Sequence, residues 1–183
     1  MAVLSVADQF VNYYEYHQNK HNQLIHFIFV PVILLSFIML LGLVHVPIIS
    51  TPSEFLNLFV GNAGFIAAVP LVAYYFVLDR EAGAVILAEI VGFVALSTYL
   101  QLYESRSTFY FIAFLSQVCG WGFQFFGHGF FEGRRPALFD NILQTLIAPL
   151  FVVIEAFFFL GLKSDLKKQV EDGLSTRNAR KQK

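Results

Sequence analysis

Trp121–Leu138 reads WGFQFFGHGFFEGRRPAL, an apolar and aromatic run that carries Gln124 and His128 and closes on Glu132, Arg134, Arg135 and Pro136. Ionisable groups at hydrocarbon depth are costly, and those that persist face a bundle interior or a cavity. On a helix Gln124, His128 and Glu132 recur every four residues and stack along one face. Gly120, Gly122, Gly127, Gly129 and Gly133 remove bulk around the histidine, so another backbone, a metal or a ligand can come close. The competing reading of the same residues is a tight helix crossing with His128 hydrogen-bonded to a neighbour.

Composition sets the outer limits. With 183 residues, 57% hydrophobic and 14% charged, the chain is too apolar for an ordinary soluble domain and belongs in a bilayer among membrane lipids. Its 22 phenylalanines and 8 tyrosines suit lipid-facing surfaces, interfaces or the walls of an acyl slot. A net charge of -1 gives no footing for nucleic acid. The single Cys119 excludes an internal disulfide and any cysteine-based zinc or iron-sulfur site.

Working outward, residues 3 to 18 are amphipathic, with Val3, Leu4, Val6, Phe10, Val11 and Tyr14 at three- and four-residue spacing and Ser5 and Asp8 placed like a capping pair. This segment is expected to lie at the interface, and no cleaved signal peptide is expected. YHQNKHNQLIH, from Tyr16 to His26, then holds three of the five histidines. On one unbroken helix His17 and His26 would lie roughly 180° apart, so the polar stretch Gln18 to Asn22 must bend the chain if they share a centre.

Membrane candidates follow at Leu24 to Val44, Phe55 to Leu78, Ala82 to Leu102, Phe109 to Phe131 and Asn141 to Leu162. The first is about 21 residues, roughly 31 Å, enough to cross a bilayer core. The fold class predicted is therefore all-α, a polytopic membrane bundle of about five membrane-embedded helices behind an N-terminal interfacial helix. Residues 1 to 162 form one membrane-embedded catalytic domain, and 163 to 183 a polar, mostly basic tail read as a solvated or frayed end. Glu89 is expected to pair within the bundle. His45, at the far end of the first span, is expected to be a bystander.

If all five spans cross, His17, His21, His26 and His128 meet at one membrane face, together with Lys20, Arg80, Arg134 and Arg135. Imidazoles without thiolates suit iron, zinc, copper or nickel, and three of them leave coordination positions open. Glu132 could be a fourth ligand or orient His128. Lys20, Arg134 and Arg135 offer countercharges for a substrate carboxylate or a phosphate headgroup. Five histidines are too few for the cluster of a membrane di-iron desaturase, so the count permits a mononuclear centre.

YHQNKHNQLIHFIFVP and GWGFQFFGHGFFEGRRPALFDN, with the order and hydropathy between them, also resemble the fungal and bacterial 2-hydroxy fatty acid dioxygenases over nearly the whole chain. By that resemblance His17, Asn22, His26, Gln124, His128, Glu132 and Pro136 occupy motif positions, while His21 departs from the motif. The resemblance implies an Fe(II) cofactor, a 2-hydroxy fatty acid and molecular oxygen as substrates, and an endoplasmic reticulum membrane location. It also implies fatty acid α-oxidation by one carbon, as in phytosphingosine breakdown. A non-enzymatic lipid-binding or scaffold protein would share the hydropathy but gives no reason to gather histidines. A transporter would need polar groups near the midplane, where only Glu89 and Glu155 qualify.

Overall fold

A computed structural model describes residues 5–136 and 142–181, and all regular structure among them is helical. Helix α1 (Val6–Tyr14) starts where the Ser5 side chain accepts from the Asp8 amide at 3.2 Å, the cap expected from the sequence. Asn19 caps α2 (Lys20–Leu41) by accepting from the His21 amide, and Asn62, Asp79 and Ser105 cap α4 (Ala63–Leu78), α5 (Arg80–Tyr103) and α6 (Arg106–Phe126) in the same way. The short α3 (Glu54–Val60) precedes α4, and α7 (Ile142–Phe159) and α8 (Ser164–Lys181) end the chain. The start of the expected fifth span, at Asn141, lies outside the described residues, as do Val3 and Leu4 of the N-terminal stripe.

Three helices are long and apolar enough to cross a membrane, namely Lys20–Leu41, Arg80–Tyr103 and Arg106–Phe131, with a fourth if the pair Gln144–Phe159 and Ser164–Ala179, bent by 111°, counts as one. Five crossings are therefore not supplied. The second expected span breaks at Gly61 and Asn62, because the Asn62 carboxamide caps a new helix by accepting from the Gly64 and Phe65 amides. That leaves α4 with 16 residues, about 24 Å against a hydrocarbon core of about 30 Å.

The direction of each leg follows from its contacts. Gly64, at the start of α4, packs against Ile38 near the end of α2, whereas Tyr75, near the end of α4, donates to the Leu146 carbonyl of α7. Helix α5 runs away again and α6 returns, packed antiparallel along α2. Gly120 lies so close to Ile33 that a Cβ could not be accommodated, and Phe29 stacks on Phe123 at 4.3 Å. Gln117 Nε2 donates to Ser36 Oγ at 3.0 Å in the same seam.

Both ends of helix α7 have partners at the histidine end of the bundle. Its first turn meets α1 through Gln144 Nε2 and Gln9 Oε1 at 3.3 Å, and beyond its last turn Lys163 Nζ lies 2.7 Å from Asp79 and 2.8 Å from Glu81, at the start of α5. Both ends thus sit on the histidine side. Left-handed backbone at Gly161 and Lys163 turns the chain into α8.

The basic tail, expected to be frayed, is instead a helix docked on α1. Leu166, Val170 and Leu174 present an apolar stripe at four-residue spacing, Gly173 meets Val11, and Arg177 bonds Glu15 and Asn12 at 3.1 and 2.6 Å. Helices α1 and α8 therefore share one face.

Eleven Lys and Arg stand at described positions, the 12 of the chain less Lys183, and Arg106 alone, in the first turn of α6, sits at the opposite end of the bundle. By the positive-inside rule the histidine face is the one expected to be cytoplasmic. In a cysteine-free Cys119→Ser background, Lys20→Cys and Lys168→Cys should label from the cytoplasmic side and Ser50→Cys from the other. Labelling of Lys20→Cys and Lys168→Cys from opposite sides would contradict an even number of crossings.

Candidate metal centre

The bend required between His17 and His26 is present. Helix α1 ends at Tyr14, the chain turns, and α2 begins at Lys20. His17 Nδ1 donates to the Tyr13 carbonyl at 2.8 Å and His26 Nδ1 to the Asn22 carbonyl at 2.8 Å. A carbonyl can only accept, so both neutral rings carry their proton on Nδ1 and turn the Nε2 lone pair inward. Those two Nε2 atoms face each other at 3.0 Å.

His128 completes the group. Its ring lies 4.8 Å from His17 and 4.9 Å from His26, centroid to centroid, and its Nδ1 is buried with no hydrogen-bond partner. One ligand atom from each of His17, His26 and His128 falls within 4.8 Å of the others. Burial holds the His17 imidazole well below its ordinary pKa, reinforced by His26 and His128 beside it. Two inward lone pairs, with a third imidazole nitrogen within 4.8 Å and the buried, unpartnered Nδ1 of His128 on that ring, are a donor set that fits a nitrogen-loving metal ion.

A widened turn brings His128 in. The last helical turn of α6 opens into a π-helical segment, Gly127–Phe131, and the Arg134 amide closes it on the His128 carbonyl at 3.2 Å, with Gly133 in the left-handed conformation. Gly127 lies against Asn22 Oδ1 with no room for a Cβ. Gly122 and Gly129, expected to do the same work, face open space.

Glu132 is not part of the triad. Its Oε1 accepts from the Asn19 amide at 2.9 Å and from Asn22 Nδ2 at 3.1 Å, tying the end of the π segment to the start of α2. His21, expected among the ligands, is exposed, stacked on Phe131 and bonded to Asn19; on α2 it lies roughly 140° round from His26 at 100° per residue. Arg134 donates to the Glu15 carbonyl at 2.6 Å and covers the Tyr16 ring, while Lys20 and Arg135 are exposed. His45 is far away, bridged to Asn62.

A cavity of about 180 Å³ opens from the triad. Its apolar wall includes Val30, Ile33, Leu34, Phe37, Leu71 and Trp121, so from His26 to Phe37 it follows α2 for roughly 16 Å into the bundle. Gln124 and Gln144 also line it; Lys20, Arg134 and Arg135 are not among its lining residues. Glu89 has no bonded partner among the described residues and lines a second cavity of about 330 Å³, which shares Val30, Leu34 and Pro149 with the first.

Tyr13 is the functional neighbour that the sequence pattern did not single out. Its ring stacks on His17 at 3.8 Å, its carbonyl fixes the His17 tautomer, and its hydroxyl donates to Glu155 at 3.1 Å. The signal available was its place four residues before His17, one helical turn away.

A family model described as 2-hydroxy-palmitic acid dioxygenase Mpo1-like matches residues 3–159. The chain belongs to the Mpo1-like family. Its relative from Saccharomyces cerevisiae, the 2-hydroxy-palmitic acid dioxygenase MPO1, is 35% identical over 184 residues, 98% of this chain and 97% of the relative. No solved structure matches.

Two outcomes are expected of this Mpo1-like site. Gly127→Ala should force Asn22 away and lower stability by about 1–3 kcal/mol, the usual cost of overpacking, with loss of bound metal; an unchanged unfolding midpoint and metal content would contradict the packing described. In the metal-free protein, the unfolded chain takes up a proton at His17 near pH ~6.5 that the folded state refuses. Stability should therefore be full above that pH and fall as pH drops below it, as read by thermal unfolding across pH 5 to 8. A flat profile would place His17 in water.

Proposed function

We propose that this protein is an iron-dependent dioxygenase of the endoplasmic reticulum membrane that shortens 2-hydroxy fatty acids by one carbon, as in phytosphingosine breakdown. The observation that carries this reading is a buried three-histidine group at the polar end of an apolar cavity, in a chain similar over its whole length to a 2-hydroxy-palmitic acid dioxygenase.

His17, His26 and His128 would hold the metal. Iron, when bound, supplies the one-electron chemistry that lets dioxygen react with a closed-shell acid. The chain's own residues do the rest. Tyr13 and Asn22 hold the His17 and His26 rings through their carbonyls, and Glu132 fixes Asn22 and the loop that carries His17. Burial of all three imidazoles keeps water from the reacting end.

The acyl tail would lie along α2 between Val30 and Phe37, where aliphatic and aromatic side chains replace lipid at little difference in free energy. Lys20, Arg134 and Arg135, exposed on the same face, are assigned to drawing the anionic acid in from the interface. A scaffold has no use for two imidazole lone pairs facing each other across 3.0 Å.

The test is iron content and turnover of 2-hydroxypalmitate by purified variants. His17→Ala, His26→Ala and His128→Ala should each lose turnover and most bound iron. Glu132→Gln, one layer out, should lose roughly 10- to 100-fold in activity or metal affinity. His21→Ala should match the parent. Full iron and turnover in His128→Ala would overturn the reading.

A further inference from the structure

The cavity holds two side chains that the metal does not account for. Gln124 and Gln144 are each buried to more than nine-tenths, and both line the cavity into which the triad faces. Gln124 Nε2 is buried with no hydrogen-bond partner. Gln144 donates through Nε2 to Gln9 Oε1, which fixes its orientation and leaves its own Oε1 buried and unpaired.

Buried polar atoms are satisfied in the great majority of folded proteins, and an unsatisfied one carries the full cost of its desolvation. Two lining one cavity, one donor and one acceptor, mark a place built for a polar ligand. No Lys or Arg among the described residues lines the cavity, so no cation of the chain meets an anionic head there.

We infer that Gln124 and Gln144 are the residues that recognise the head of the substrate, Gln124 donating from Nε2 to a carboxylate oxygen and Gln144 accepting at Oε1 from the 2-hydroxyl. This rests on the 2-hydroxy acid reading above and adds to it the source of selectivity. A plain fatty acid offers the carboxylate but no hydroxyl, and would leave Gln144 Oε1 desolvated and unpaired. Sites built to hydrogen-bond a substrate hydroxyl discriminate strongly against the analogue that lacks it, whereas apolar walls cannot. The acyl slot therefore sets the affinity for chains in general, and the two amides select the 2-hydroxy acid.

The chain's single tryptophan, Trp121, lines the same cavity and reports binding directly. Full-length, iron-loaded protein kept free of oxygen, so that no turnover occurs, is titrated with 2-hydroxypalmitate and with palmitate while Trp121 emission is followed. The parent should bind the 2-hydroxy acid more tightly. Gln144→Leu should lose that preference while keeping its affinity for palmitate, and Gln124→Leu should bind both acids roughly 10- to 100-fold more weakly, the range for a hydrogen bond to a charged group. Gln124→Met and Gln144→Met, which preserve side-chain length, replace any variant that loses iron. If the parent discriminates and every variant discriminates equally with unchanged affinity, the assignment of the two amides is wrong and the substrate class stands. If the parent binds neither acid, or both alike, the substrate class itself falls.

Discussion

Two imidazole nitrogens face each other across 3.0 Å with their protons committed elsewhere, and much of the molecule serves that confrontation. Left alone, two lone pairs at that distance repel. The arrangement persists because the opposite nitrogen of each ring is held by a backbone carbonyl, Tyr13 on one side and Asn22 on the other, and because burial disfavours a proton on His17. A cation between the rings turns the repulsion into a bond, with His128 supplying the third donor.

Everything that fixes the two carbonyls is thereby tied to the centre. Tyr13 is wedged between His17 and Phe151 and anchored by Glu155, so α7 sets the position of the carbonyl that His17 needs. Asn22 sits against Gly127 and is held by Glu132, so the α2–α6 seam sets the other. The docking of α8 on α1 closes the arrangement from outside, where Arg177 grips Glu15 two residues before His17.

The convergence of His17, His26 and His128 was legible in the sequence because it needs only the parity of the crossings between residues 26 and 128. Three to four helices are long and apolar enough to cross where about five were expected, and the open case, α7, comes after the last histidine and leaves that parity intact. The break at Asn62 shortens the second leg without reversing it. Other features have no comparable signature. Nothing in GHGFF announces a π-helical turn, which moves Glu132 from a place beneath His128 to a brace for Asn22. Arg134 next to a catalytic helix suggests a carboxylate, but its partner is a backbone carbonyl 119 residues earlier, and carbonyls carry no sequence identity. The docked tail was readable: Leu166, Val170 and Leu174 recur every four residues within an otherwise polar segment, a stripe that its charges obscured.

The most direct test is an experimental structure of the iron-loaded protein with anomalous scattering measured on either side of the iron absorption edge. The account requires one iron per chain, seated between His17, His26 and His128 at ordinary metal–nitrogen distances of about 2.0 to 2.2 Å, with His21 and Glu132 away from it. An iron peak bound elsewhere in an active preparation, or the three imidazoles joined only by hydrogen bonds while the enzyme turns over, would contradict it.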